Sequence, residues 1–211
     1  MPSSGSTPNL PTSRPIRLLL EVVGDDHPKA CTGRRLLHRG MAETWHPTGP
    51  RGPPPVLLDP YAKGSVSPAD RSVAETGGLL VIDCSWNKLA ERGRFSEGAG
   101  PGRRTFRRRL PLLIAANPQH YGRLAELNTV EAFGAALYVL GRTDQARTLL
   151  ESFHGGPAFL ELNQERFARY AEADSSSAIE AAEAALFGGD ATGTAPAAMA
   201  PERRRRTRLD R

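Results

Sequence analysis

Three clusters in the first 132 residues hold side chains of the types that grip a small charged ligand. The first is DDHPKACTGRRL, Asp25 to Leu36, where turn residues, a Thr-Gly pair and three basic side chains follow an apolar run ending at Val23. Backbone amides in such a loop can receive a carboxylate, and the same residues also suit a plain surface turn. In the second cluster, VIDCSW, the residues Asp83, Cys84, Ser85 and Trp86 come directly after an apolar run. If that run is a strand of an open α/β sheet, ligands bind beyond its carboxyl end. Trp86 then suits a flat purine, a sulfonium or a place in the core. Asp83 suits a base, an acceptor for a ribose hydroxyl, or a helix cap. The third cluster runs from Arg109 to Ala132. Asn117-Pro118 and Tyr121-Gly122 make a rigid, irregular loop that delivers the chain to a helix starting near Thr129. The first amides of that helix lack intrahelical acceptors and sit at the positive end of its dipole, a second place for a carboxylate. A loop joining two core elements accounts for the same residues without a ligand.

Just before the third cluster lies GRRTFRRRL, with Arg103, Arg104, Arg107, Arg108 and Arg109 packed around Phe106. Such a run is usually a solvated basic face; beside a pocket it reads as a phosphate-binding rim. Arginine carries most of the net charge of +5, and its planar fork donates two parallel hydrogen bonds to a phosphate. Metal and thiol chemistry find little support. Cys31 and Cys84 have no second cysteine near either, and the five histidines are scattered without ligand spacing, so no metal is expected. Hydrophobic residues make up 39%, enough for a packed globule. No apolar run of about 18 residues occurs, and MPSSGSTPNLPTSRP lacks the layout of a secretory signal. A cytoplasmic protein is the expectation.

The elements that position these clusters divide the chain in two. Ile16 to Val23, Val56 to Leu58 and Leu79 to Asp83 read as strands, and Leu110 to Ala115 as a strand or the approach to one. Continuous rather than alternating apolar runs favour a parallel sheet covered by helices. HPTGPRGPPP at 46–55 holds five prolines and two glycines and must be an irregular loop. From Asn128 onward the periodicity is helical. Asn128 and Glu131 form a capping box. Val130, Phe133, Leu137 and Leu140 then share one face, with Gly141 as the stop. Further helices are predicted over Thr143–Phe153, Phe159–Tyr170 and from a cap at Ser177. The domain reading is a disordered lead-in over 1–15, an α/β part over 16–109, a helical part over 110–187, and a disordered basic tail over 188–211. The six arginines of that tail either touch RNA or keep the protein soluble.

Six stretches, in order over roughly residues 16 to 170, carry a resemblance. They are DHPKACTGRRL at 26–36, VLLDPYAKGSVSPADR at 56–71, GGLLVIDCSWNKL at 77–89, RRLPLLIAANPQHYG at 108–122, LNTVEAFGAALYVLG at 127–141 and LLESFHGGPAFLELN at 149–163. Together they resemble the family of 18S and 16S rRNA aminocarboxypropyltransferases, ribosome-biogenesis enzymes of eukaryotes and archaea. The resemblance implies a SPOUT-like knotted parallel sheet ending near Arg109, with the all-helical part packed over it. It implies S-adenosylmethionine as the aminocarboxypropyl donor, small-subunit rRNA as partner, and a monomer. By motif, Leu58, Pro60, Trp86, Leu110, Leu127 and Ala132 should surround the adenine. The backbone at Ile82 and Asp83 should meet the ribose, and Thr32 and Thr129 the amino-acid end. RNA contact falls to Lys29, Arg34, Arg35, Lys63, Arg71 and the cluster at 103–109. The proline-rich loop at 46–55 and the arginine-rich ends depart from the family pattern.

The implied reaction turns the donor so that its methyl is buried and the carbon leading to the amino acid is presented. Trp86 is expected to shield the methyl side, and N3 of a uridine or N1-methylpseudouridine to attack. Asp83 is the nearest candidate base, although an ordinary carboxylate is poorly matched to so weak an acid; an electrostatic role beside the sulfonium is the other possibility. Two other functions share these residues. An RNA methyltransferase would release S-adenosylhomocysteine instead of methylthioadenosine, and a non-catalytic rRNA-binding assembly factor would have no affinity for the donor.

Overall fold

Apolar runs that lack alternation need cover on both faces, and the strands they form are paired on both edges. In a computed structural model that describes residues 14–22, 32–46, 52–83 and 105–188, β1 (Leu18–Val22), β2 (Glu43–Thr44), β3 (Val56–Leu58), β4 (Leu79–Asp83) and β5 (Phe106–Arg108) form one sheet. The order is β2-β1-β4-β3-β5 and every pairing is parallel. Leu18 pairs with Leu79 and Leu20 with Val81. Because strand side chains alternate between faces, Leu18, Leu20, Val56, Leu58, Leu79 and Val81 enter the main core. Leu19, Leu57 and Leu80 point the other way, into a small cluster with Trp45 and Ile82. Both β2 and β5 are strands that the sequence pattern does not announce. The first has two residues, and the second lies inside the arginine run.

Helices accompany the sheet, two between its strands and the rest after it, and the periodicity anticipates those after it. They are α1 (Thr32–His38), α2 (Arg71–Gly77), α3 (Thr129–Val139), α4 (Thr143–Glu151), α5 (Gly156–Leu162), α6 (Gln164–Ala171) and α7 (Ser176–Phe187). The capping box of α3 is present, with Glu131 N donating to Asn128 Oδ1 and Asn128 N to Glu131 Oε2, each at 2.9 Å. Gly141, at φ +72°, ends α3 in the left-handed conformation that glycine adopts without strain. The face predicted for α3 is buried at Val130, Phe133, Leu137 and Leu140.

Two helix boundaries differ from the sequence reading. The helix expected over 159–170 is two helices meeting at the fully buried Asn163, whose side chain serves a neighbouring segment. Its Nδ2 donates to the Ile114 and Phe159 carbonyls, at 2.8 and 2.9 Å, and its Oδ1 accepts from Ile114 N at 2.8 Å. The last helix is capped by Ser175, which accepts from Ala178 N, rather than by Ser177. Ser175 has the extended backbone a cap needs (φ −143°), while Ser177 already lies in the first turn.

The segment 110–116 is the third difference. It joins no ladder of the sheet: 123–125 pairs with one of its edges, and along the other, side chains take the places of a neighbouring strand. Leu112 N donates to Glu183 Oε1 (2.7 Å), Tyr170 OH to the Leu112 carbonyl (2.9 Å), and Ala116 N to Glu131 Oε1 (2.8 Å). With Asn163 on Ile114, three helices thus satisfy alternate backbone groups of this strap. Its core contacts (Leu113, Ala115, Ala116) belong to the same cluster as β1, β4 and α3, so one apolar core serves both parts of the chain. Among the described residues no helix is long and apolar enough to cross a membrane.

Candidate functional site at the carboxyl edge of the sheet

The carboxyl ends of β1, β3 and β4 are where an open parallel sheet receives ligands, and two of the anticipated residues, Asp83 and Thr129, meet there. Asp83 is the last residue of β4 and Thr129 the first of α3; the Thr129 hydroxyl donates to Asp83 Oδ1 at 2.9 Å. On its other side Asp83 approaches the first turn of α1, so closely that a Cβ at Gly33 would collide with its carboxylate. The Thr-Gly pair singled out in the sequence is therefore a matter of space. Glycine at 33 lets α1, β4 and α3 converge on one carboxylate.

The amides of Thr129 and Val130, at the open end of α3, have no acceptor within the helix. Thr129 itself is buried to 7% exposure and Leu127 to 8%. Leu58, at the end of β3, shares the main core with Leu127, and Leu110 and Ala132 pack against it partly exposed. All four thus belong to, or pack against, the core on which α3 starts. Pro60 is half-buried just beyond β3. Ile82 faces the opposite side of the sheet, packing with Leu19, Leu57 and Leu80. Only its backbone can serve a ligand on the α3 side. Trp86 lies outside the described residues, as do Cys31 and Cys84.

In the first turn of α3 is a buried carboxylate that the sequence reading treated only as a cap. Glu131, 3% exposed, accepts from Asn128 N, Ala116 N and Asn117 Nδ2 (2.7 Å). One side chain thus ties the start of α3 to the end of the strap. The distant pairing of 116–117 with 131 leaves no signal in local spacing.

The basic residues sort differently from their appearance in sequence. Arg107 Nε donates to Asp59 Oδ2 at 2.7 Å, and Arg108 Nε to Asp70 at 3.1 Å; Asp59 and Asp70 are buried. Arg108 also lies 4.0 Å from the Phe106 ring centre. Arg109 is buried and makes a two-pronged pair with Glu183, at 2.8 and 2.6 Å. Burial alone would lower its pKa, but the Glu183 hydrogen bond and charge, with Glu180 beyond, hold it above the ordinary value. The rim expected at 107–109 is therefore largely an edge strand fastened by three acids. Arg71, although exposed, donates to the Leu140 carbonyl at 2.6 Å and so finishes α3. Arg35 is exposed, with its guanidinium 5.1 Å from the Phe153 ring. Arg34 is half-buried and Lys63 exposed. Lys29, Arg103 and Arg104 lie outside the described residues.

Comparison with known proteins places these features in a family. The model of the family described as "Ribosome biogenesis protein, C-terminal" matches residues 56–187. A 16S rRNA aminocarboxypropyltransferase of Halobacterium salinarum is 43% identical over 172 residues, covering 82% of this chain and 97% of that protein. An 18S rRNA aminocarboxypropyltransferase of Schizosaccharomyces pombe is 35% identical over 79% of this chain and 55% of its own length. Among solved structures, the SAM-dependent rRNA:acp-transferase Tsr3 from Vulcanisaeta distributa aligns with a TM-score of 0.67 at 34% identity. That alignment covers 81% of this chain and 97% of that one.

Proposed function

The chain belongs to the family of rRNA aminocarboxypropyltransferases, and from that premise we propose that it modifies small-subunit rRNA during ribosome biogenesis. In this reading it transfers the 3-amino-3-carboxypropyl group of S-adenosylmethionine to N3 of a uridine or N1-methylpseudouridine. The observation that carries the reading is the extent of the likeness. At 43% identity it runs over 97% of a relative's length, and β3, β4 and α3 lie within the residues 56–187 that the family model matches. The finer assignments go with it: a SPOUT-like knot in the sheet part, a boundary between 16–109 and 110–187, a monomer, and a cytoplasmic location.

The residues present suit such a donor. The apolar side chains of Leu58, Pro60, Leu110, Leu127 and Ala132 suit a purine. The free amides at the start of α3, beginning with that of Thr129, suit a carboxylate, and Thr32, the first residue of α1, is assigned to the same amino-acid end. When bound, S-adenosylmethionine supplies an electrophilic carbon next to a sulfonium, which an aromatic-ring nitrogen can attack directly. The chain's own contribution is mainly orientation, holding the two reactants in line.

Asp83 is best cast as an orienting and electrostatic residue. One of its oxygens already accepts from Thr129, so the side chain is held in one direction, as a partner for a cation needs. Proton removal from the acceptor ring then falls to solvent or to the RNA. For RNA contact the reading keeps Lys29, Arg34, Arg35, Lys63, Arg71, Arg103 and Arg104. Arg107 and Arg108 lend only the faces left over from Asp59 and Asp70.

The test is single-turnover transfer from labelled S-adenosylmethionine to a small-subunit rRNA hairpin, with the sulfur product identified. Methylthioadenosine is expected. S-adenosylhomocysteine would make the protein a methyltransferase, and no donor binding at all would leave an assembly factor. In Asp83→Ala, weakened donor binding with an unchanged chemical rate at saturation is expected. A rate lowered a thousandfold with binding intact would instead restore Asp83 as the base.

A further inference from the structure

Among the described residues one large hydrophobic side chain is strongly exposed, Tyr121 at 66%. A single exposed aromatic ring means little by itself. Its mounting is what distinguishes this one. Residues 113–115 and 123–125 run antiparallel, with Ala115 N donating to the Arg123 carbonyl and Ala125 N to that of Leu113, both at 2.8 Å. Ile114 and Leu124 form the bridge between them. Within the turn, Gly122 N returns to the Ala115 carbonyl (2.8 Å) and His120 N to Asn117 Oδ1 (3.0 Å). Asn117 is anchored in turn to the buried Glu131. The result is a short, cross-braced tongue with Tyr121 near its tip.

Both roots of the tongue lie at the candidate site. Leu110 precedes one root, and Leu127 and Thr129 follow the other. Tyr121 lies six positions before Leu127, so their Cα atoms are within about 22 Å of each other. Beside it, Arg123 has a side chain 61% exposed and makes an ion pair with Glu126 at 3.2 Å. His120 stands against the same carboxylate. The ring therefore projects from an ordered mount that also carries the cation Arg123, on a segment whose second root leads directly into Leu127 and Thr129.

We propose that Tyr121 is a stacking platform for an unpaired base of the RNA loop that carries the acceptor nucleoside, a proposal that rests on the function proposed above. An acceptor nitrogen on the pairing edge of a uridine is reachable only when the base is unpaired and drawn from its neighbours. A rigid exposed ring returns the stacking lost by a neighbouring base. Because tyrosine has few rotatable bonds and the tongue is already ordered, little further ordering accompanies binding. Stacking is tolerant of base identity, so Tyr121 contributes affinity and placement while the pocket selects the acceptor.

The experiment compares wild type with Tyr121→Ala, Tyr121→Phe and Tyr121→Trp. It measures direct binding of a small-subunit rRNA hairpin by anisotropy, donor binding by calorimetry, and transfer kinetics. Alanine is expected to weaken hairpin binding and raise the KM for RNA by about tenfold to a hundredfold, with donor affinity unchanged. Phenylalanine and tryptophan should restore both, and the indole of Tyr121→Trp should be quenched when the hairpin binds. Hairpin binding unaltered in the alanine variant would overturn the proposal, and so would a ring that matters only for a protein partner. Loss in Tyr121→Phe equal to that in alanine would also overturn it, since the hydroxyl would then be the contact. If transfer is absent in wild type while hairpin binding still depends on the ring, the enzymatic reading fails and the stacking platform stands.

Discussion

Residues 106–109 and residues 120–123 look alike in sequence, an aromatic side chain set among basic ones, and the fold treats them in opposite ways. At 106–109 the backbone becomes the edge strand β5, and its three arginines turn onto Asp59, Asp70 and Glu183, all of them buried. At 120–123 the backbone folds into a tongue, the aromatic ring faces solvent, and Arg123 stays mostly exposed. What separates them is the company of distant acids. A buried carboxylate demands a cation, and the densest arginine run in the described chain is where those demands are met. The number of arginines in a segment is therefore a poor guide to how many are free of carboxylate partners.

The largest effect that could break this comparison is at Glu183. Glu183→Ala leaves Arg109 buried without its partner and removes the acceptor of Leu112 N, so unfolding by denaturant should show a loss of about 3–5 kcal/mol. A loss under 1 kcal/mol would mean that Arg109 reaches solvent, and the rim would be basic after all. Next in size is a paired substitution. Arg107→Ala strands the carboxylate of Asp59 and should cost about 2–3 kcal/mol, with little change in hairpin affinity for the protein that remains folded. Arg123→Ala should cost less than about 0.5 kcal/mol of stability yet weaken hairpin binding at low salt. The opposite pattern would return the RNA face to β5.

An effect smaller than that of Arg107 concerns Tyr170, whose hydroxyl donates to the strap beside Glu183. Burial, followed by the charge of Glu183, raises its pKa well above the ordinary 10.0. The unfolded chain therefore gives up this proton before the folded one does. The contribution is complete below pH 10 and fades as the pH climbs beyond it. Tyr170→Phe should lower stability by about 1 kcal/mol near neutrality and flatten the decline above pH 10. A decline as steep as wild type would assign it to other groups.

Legibility in the sequence followed the range of the interaction. β1, β3 and β4 were readable because a strand buried on both faces must be apolar throughout, and α3 because its cap, face and stop all lie within 14 residues, from Asn128 to Gly141. Asp83 and Thr129 were readable as candidates from their places at the end of a strand and the start of a helix. Their contact with each other was not, being 46 positions apart. β5 was hidden because its side chains answer to acids elsewhere in the chain. The strap was hidden because helix side chains complete its backbone hydrogen bonds, where a strand pattern presumes another strand.

The order of residues determined by itself the strands β1, β3 and β4 and the helix α3, since these depend on neighbours a few positions away. Tertiary structure alone decided which charges are fastened and which are offered. Whether an arginine is free depends on a carboxylate 38, 48 or 74 positions distant, and only packing brings that carboxylate within reach and withdraws it from water.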